Sequence, residues 1–277
     1  MEVFRESAET IRFLNEKRKN RQLSVHLVPT MGALHEGHFA LIRAAQAKNS
    51  VLAASIFVNP TQFNNPDDFA NYPRKDAEDL HNLEKLGTDV VFIPKVEEIY
   101  PSKPVISVSF GELGAKLEGY FRPGHFHGVA LAVSKLFNII QPNTAFFGQK
   151  DFQQFAVISQ LVKDFSFPVK LECIPTVREA DGLAMSSRNV RLNGEQRTDA
   201  LILYQSLRHA EAQLKKGQKM ATIKEEVKEK FISKNAVLEY IELADWELNT
   251  REVYSSPSVL LIAGVIGEVR LIDNIIL

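Results

Sequence analysis

The chain has 277 residues, with 33 Lys and Arg against 34 Asp and Glu, a formal charge of -1, 45% hydrophobic content and one cysteine. That length buries a substantial core in one large domain or a large plus a small one, which excludes disorder as the main state. Balanced charge gives no bulk attraction to nucleic acid or an anionic membrane, so any phosphate must be held by a local site.

From Ser7 to Lys19, Ala8, Ile11 and Leu14 recur at helical spacing among charges, which predicts an amphipathic helix. Val25 to Val28 is a short apolar run stopped by Pro29, and after Met31 to Gly37 a helical pattern resumes over His38 to Lys48. Val51 to Val58 (VLAASIFV) is a nearly continuous apolar strand of the kind buried on both faces of a parallel sheet, ended by Asn59-Pro60. Helix over Arg74 to Leu86, strand over Asp89 to Ile93, helix over His125 to Ile140 and strand over Thr144 to Phe147 follow. Asp151 to Phe165 is helical and Val169 to Ile174 a strand. Strands alternating with helices predict an α/β fold, a Rossmann-like parallel sheet with helices on both faces. Past residue 185 the pattern changes to helices over Glu195 to Lys216 and Ala221 to Ser233, then strands over Val237 to Leu243, Val259 to Ile266 and Val269 to Ile276. This predicts a smaller α+β C-terminal domain, with boundaries at 1–178 and 179–277. One thiol, Cys173, fits a reducing compartment, and Val259 to Gly267 is far short of the roughly 20 residues that span a bilayer. The opening MEVFRESAET carries charges of both signs where a secretory signal needs an apolar stretch, so a cytoplasmic protein is expected.

Two segments carry chemistry. In Pro29-Thr30-Met31-Gly32-Ala33-Leu34-His35-Glu36-Gly37-His38 a strand end delivers a Gly-bearing turn into a helix N-terminus, where free N–H groups and the positive dipole end favour an anion. His35 and His38 flank that point and can donate to phosphate oxygens, while Gly37 lets a base or ribose lie against the backbone. In this context the segment resembles the HIGH motif of nucleotidyltransferases that activate acids with ATP. Met185-Ser186-Ser187-Arg188 supplies two hydroxyls and a guanidinium for the outer phosphates, similar to the KMSKS loop of that superfamily. Each motif alone is weak, and each predicts the other as half of a triphosphate clamp.

From about Val28 to Arg191 the chain resembles the pantothenate synthetase (pantoate–β-alanine ligase) family, through PTMGALHEGH, FVNPTQF, NYPR, RPGHFHGV, FFGQKDFQQ and PTVREADGLAMSSRN in order. The C-terminal part matches only in its helix-then-strand layout. Gln149 departs from the usual FFGEKD, which puts in doubt an ion pair there and leaves Lys150 in place. The resemblance implies a two-step reaction with ATP as co-substrate. Pantoate carboxylate attacks the α-phosphorus, giving pantoyl adenylate and pyrophosphate, and the β-alanine amine then displaces AMP.

Neutral donors suit a carboxylate nucleophile, because a buried cation stabilises the ground state and blunts attack. By the resemblance Gln62 and Gln154 bind pantoate, Gln62 also lies against β-alanine, and Asn59 and Tyr72 line or gate the pantoate pocket. His38, with His35, meets the charge that develops on the α-phosphate, and Lys150, Ser186, Ser187 and Arg188 take the leaving pyrophosphate. The implied ATP site comprises Met31, Gly32, Ala33, Leu34, His35, Glu36, Gly37, His38, Gly148, Gln149, Lys150, Asp151, Val177 and Met185 to Arg188, with Asp151 on the ribose. Arg122 and His125 rank lower, His125 being equally suited to a helix start. Mg²⁺ is expected with ATP, on phosphate and water oxygens, with Asp79 and beyond it Asp76 or Glu78 in approach, although acids on KDAEDL also suit a solvated helix face. A zinc reading of His35, His38, His125 and His127 is disfavoured, since no His-Glu-x-x-His spacing occurs. The C-terminal domain is expected to close over ATP as a lid and exclude water from the adenylate. Family membership also suggests a homodimer. The alternatives are another HIGH-motif nucleotidyltransferase, a truncated aminoacyl-tRNA synthetase, or a nucleotide-binding module without chemistry.

Overall fold

The computed structural model describes residues 1–21, 23–64, 66–234 and 236–277. They form two compact units, one of residues 1–148 and 157–174, the other of 149–156 and 175–277.

In the first unit six strands, β1 (Glu2–Phe4), β2 (Ser24–Thr30), β3 (Ser50–Ile56), β4 (Val90–Phe92), β5 (Thr144–Gly148) and β6 (Lys170–Ile174), lie in the order β1-β4-β3-β2-β5-β6. Every pairing is parallel. The helices between them are α1 (Ser7–Arg21), α2 (Glu36–Ala45), α3 (Pro66–Ala70), α4 (Asp76–Lys85), α5 (Val96–Ile99), α6 (Gly111–Ala115), α7 (Glu118–Phe121) and α8 (His125–Ile140). Val51 through Ile56 are all buried on β3, and since neighbours on a strand point to opposite faces, both faces of the sheet are covered. Leu52, Ala54 and Ile56 share one cluster with Leu41, Ile42 and Ala45 of α2 and Leu83 of α4. The order reverses between β2 and β5, and in such sheets the ligand crevice lies outside the carboxyl ends of the strands at that switch point.

Strand β2 runs through Pro29, where the sequence predicts its end. Thr30 O accepts from Phe57 N at 3.0 Å, so Thr30 faces β3 and Pro29 faces the β5 side. The β2–β5 register stops at Leu27, and the missing proline N–H breaks no ladder bond. Strand β1 goes unsignalled, because three residues of mixed character carry no readable period.

Helix α9 (Phe152–Asp164) starts in the second unit and continues in the first. The second unit also holds α10 (Gly194–Asp199), α11 (Leu201–Lys215) and α12 (Met220–Ser233), followed by the antiparallel meander β7 (Ala236–Ala244), β8 (Val259–Ile266) and β9 (Val269–Ile276). Leu203, Leu207 and Leu214 of α11 and Ile223, Val227 and Phe231 of α12 pack with Ile241, Leu260, Ile262 and Leu271 of the sheet. The single helix predicted over Glu195 to Lys216 is two. A capping box between Asn193 and Gln196 opens α10, and at Ala200 the chain tightens, with Leu203 N–H on Ala200 O, before α11 begins. Among the described residues no helix is long and apolar enough to cross a membrane.

Candidate active site

After β2, Gly32 turns the chain at φ +81° and Ala33 follows at φ +50°. A Cβ on Gly32 would sit 3.1 Å from both Asp79 Oδ2 and Ile56 Cγ2, so glycine serves both the dihedral and the space. Asp79, on α4 and 1% exposed, holds this turn: Ala33 N–H donates to its Oδ2 and Leu34 N–H to its Oδ1, each at 2.8 Å. Burial pushes the Asp79 carboxyl above the usual carboxylate range, while the two amides pull against that rise. The acid the sequence put near a metal therefore spends both oxygens on the loop. Asp76 and Glu78 are exposed, and Glu78 pairs with Lys75 at 3.0 Å. Among the described residues no group of three or more His, Cys, Asp or Glu is arranged to hold a metal ion.

His35 caps α2. Its Nδ1 accepts from Gly37 N–H at 3.1 Å, and His38 Nδ1 accepts from His35 N–H at 3.3 Å. Since both Nδ1 atoms accept, each neutral ring carries its proton on Nε2, an assignment that follows from the hydrogen bonds. The two rings lie 4.2 Å apart between centroids. The sequence reading of a histidine pair at a helix start is thus what the fold builds, with the rings themselves filling the cap.

The FVNPTQF segment forms a short 3₁₀ turn, Pro60–Gln62, behind Asn59. Asn59 is 1% exposed and its side chain is fully engaged. Its Oδ1 accepts from Thr61 Oγ1 (2.8 Å), Thr61 N (3.3 Å) and Tyr100 O–H (3.0 Å), and its Nδ2 donates to Gln62 Oε1 (2.9 Å) and Gly128 O (3.0 Å). Gln62 in turn directs Nε2 at Met31 Sδ, 3.1 Å away, which joins this turn to the loop after β2. His125 Nδ1 donates to Gln62 O at 2.9 Å, and Arg122 reaches the same carbonyl at 3.5 Å. Both residues therefore shape the turn that carries Gln62, while His127 Nδ1 accepts from Val108 N–H at 3.0 Å. A Cβ on Gly128 would lie 2.2 Å from Thr61 O, so α8 approaches this turn closely only because residue 128 is glycine. Tyr72 is buried against Phe63, edge to face at 5.6 Å. Sequence reasoning missed Tyr100, which carries no motif, and Gly128, whose place in RPGHFHGV was a usable signal.

In the second unit Gln149, Lys150 and Asp151 form a 3₁₀ turn ahead of α9, with Lys150 Nζ 3.9 Å from Asp151 Oδ1. Gln149 makes a neutral contact: its Nε2 donates to Asn274 Oδ1 at 3.0 Å. Gln154 lies on the first turn of α9, half-buried. Val177 O accepts from Met185 N–H at 3.0 Å, which leads the chain into Ser186, Ser187 and Arg188. Lys150, Ser186 and Asn189 line one cavity, so two elements of the predicted clamp share a wall within this unit.

The family model for pantoate-beta-alanine ligase matches residues 2–276. The chain belongs to the pantoate–β-alanine ligase family. It is 46% identical over 275 residues to the pantothenate synthetase of Aquifex aeolicus (98% of this chain, 97% of that one) and 45% identical over 267 residues to that of Cytophaga hutchinsonii (95% and 94%). Among solved structures it is similar to pantothenate synthetase from Thermus thermophilus, with a TM-score of 0.90 and 39% identity over 99% of both chains. It is also similar to the pantoate-beta-alanine ligase from Francisella tularensis complexed with beta-gamma ATP and beta-alanine, with a TM-score of 0.85 and 38% identity over 100% of this chain and 97% of that one. The likeness extends through the C-terminal unit, beyond the stretch where motifs were readable. As a member of this family the chain is an ATP-dependent ligase that forms pantothenate from pantoate and β-alanine.

Proposed function

We propose that the groups around the carboxyl end of β2, together with those of the Lys150 and Met185–Arg188 segments, perform both half-reactions. The observation that carries this reading is the pair of imidazoles at the start of α2, each with its proton set on Nε2 by the helix cap, at the sheet's switch point. Fixed donors of that kind need no reorganisation as charge builds on the α-phosphate. Gln62, held on the loop by Asn59, and Gln154 orient the pantoate carboxylate through neutral amides. A carboxylate oxygen then forms a bond to the α-phosphorus as the bond to the β-phosphate bridging oxygen breaks, and pyrophosphate leaves. Lys150, Ser186, Ser187 and Arg188 receive that charge, Asp151 takes the ribose hydroxyls, and the backbone of Gly148 and Val177 meets the ribose and adenine. In the second step the β-alanine amine attacks the acyl carbon beside Gln62, loses a proton, and AMP departs. Asn59 and Tyr72 act as the wall of the pantoate pocket. The C-terminal segment of residues 179–277 serves as the lid that keeps water from the adenylate.

Magnesium enters with ATP on phosphate and water oxygens, since Asp79 has both oxygens committed to amides. The lone thiol, Cys173, pushed up to about 11 by burial, stays protonated and suits a cytoplasmic enzyme. A homodimer is supported by apolar side chains that the first unit leaves exposed, Val105 at 96% and Ile106 at 68%. Light scattering should then give twice the 31.2 kDa chain mass; a monomer at micromolar concentration ends that part. The chemistry is tested by exchange of labelled pyrophosphate into ATP. Exchange should require pantoate alone and AMP release should require pantoate and β-alanine together. Exchange driven by an amino acid in place of pantoate would overturn the reading.

A further inference from the structure

We propose that Asn274, with Asp273 beside it on β9, is a positioning residue that fixes Lys150 against the loop carrying Ser186 and Arg188. The proposal rests on the reading of Lys150 and that loop as phosphate ligands. Asn274 is 1% and Asp273 4% exposed, near the end of a strand that no motif marked.

Asn274 Nδ2 donates to Gln149 O at 2.8 Å and to Lys150 O at 2.9 Å, while its Oδ1 accepts from the Gln149 amide. One side chain thus clamps two successive carbonyls of the 3₁₀ turn, which sets the direction in which Lys150 leaves the backbone. The same residue is tied to the other half of the clamp. Arg178 donates to Asn274 O at 3.1 Å and grips Asp273 through two bonds, 2.6 and 2.9 Å. It also donates to Gly182 O at 3.1 Å, and its guanidinium lies 4.3 Å from the centre of the Tyr204 ring. Arg178 forms an isolated antiparallel bridge with Ala184 across a turn, and the chain leaving that turn runs directly into Met185 and Ser186. Burial pushes the Asp273 carboxyl up, and Arg178, with Lys150 further off, pulls it back toward the charged form. The buried Asp273 carboxylate and Asn274 amide and the half-buried Arg178 guanidinium therefore form one connected piece, with Lys150 on one side and the Ser186 loop on the other. A lysine and a hydroxyl loop that must bracket the same phosphates gain their preorganisation from this piece. A sub-ångström to ångström error in such placement costs catalysis heavily.

The test is pyrophosphate exchange with the full-length enzyme, varying ATP and pantoate separately, for Asn274→Ala, Asn274→Asp, Arg178→Lys and Lys150→Ala. Asn274→Asp keeps the volume and loses both donors, so it decides the matter if the alanine variant does not fold, and Arg178→Lys provides an independent route. The expected result is a KM for ATP raised about tenfold or more, with the KM for pantoate unchanged. Folded variants with unchanged ATP saturation, or with both KM values raised equally, would overturn the proposal, the latter by revealing general loosening. Lys150→Ala separates the two levels. If it too leaves ATP saturation unaltered, the phosphate reading of Lys150 fails; if it alone raises the KM for ATP, only the positioning role of Asn274 falls.

Discussion

Around the carboxyl end of β2 the first unit holds its functional side chains by short reaches between neighbouring loops, using amides and one carboxylate that accepts from amides. The second unit hangs Lys150 and the Ser186 loop from β9 through Asn274 and an Arg178–Asp273 ion pair whose carboxylate is buried and whose guanidinium is half-buried. The first arrangement divides the work among several modest hydrogen bonds, so that loss of one is felt locally. The second concentrates it in a charged pair whose members are costly to bury and still costlier to separate. Both sets of groups sit on turns that leave strand ends, β2 and β5, and each turn has its own buried polar anchor, so what differs is the chemistry of the anchor: Asp79 in the first unit and Asn274 with its Arg178–Asp273 pair in the second.

That contrast can be broken in four places. His38→Ala should cost the most, roughly 10²-fold or more in adenylate formation while ATP still binds; an unaltered pyrophosphate-exchange rate would remove His38 from the mechanism. Asn59→Ala comes next. It takes the acceptor from Thr61 N–H and leaves Tyr100 O–H and Gly128 O with only 3.4 Å contacts to Thr61 Oγ1, so at about 1–3 kcal/mol for an unpaired buried group it should lower stability by about 1–3 kcal/mol and weaken pantoate saturation. Unchanged denaturant midpoint and pantoate KM would contradict the tie between that loop and the pocket. Asp79→Asn turns one acceptor into a donor facing an amide N–H, for a loss of about 1–2 kcal/mol, read as a fall of about 2–8 °C in Tm. A larger change in magnesium dependence than in Tm would return Asp79 to the metal. Cys173→Ala should be nearly silent, within about 0.5–1 kcal/mol, with full activity retained, because its thiol ionises only near 11 and no proposed step uses it.

Much of the first unit was legible because its signals are local. VLAASIFV announces a strand buried on both faces, and Gly32, His35 and His38 mark a turn entering a helix, all within a short stretch of chain. The helix over His125 to Ile140 was read to the residue, since its apolar period and Pro142 bound it. Less visible was how the polar atoms are spent. The motif places Asn59 near the pantoate pocket but does not show that its amide is spent holding the turn that presents Gln62. The anchor of the second unit was hidden for a plainer reason: Gln149 meets Asn274 125 positions along the chain, and Arg178 meets Asp273 at 95.

By itself the sequence determined the alternation of strands and helices, the change of pattern near residue 185, and the ordered motifs that carry family membership. Hydrophobic period and turn chemistry act over a few residues, so they can be read in one dimension. Only the tertiary structure decided which ring nitrogens of His35 and His38 carry protons, that Asp79 serves the loop, and that β9 steadies Lys150. Buried polar atoms must each find a partner, and which partner is near enough follows from how distant segments pack.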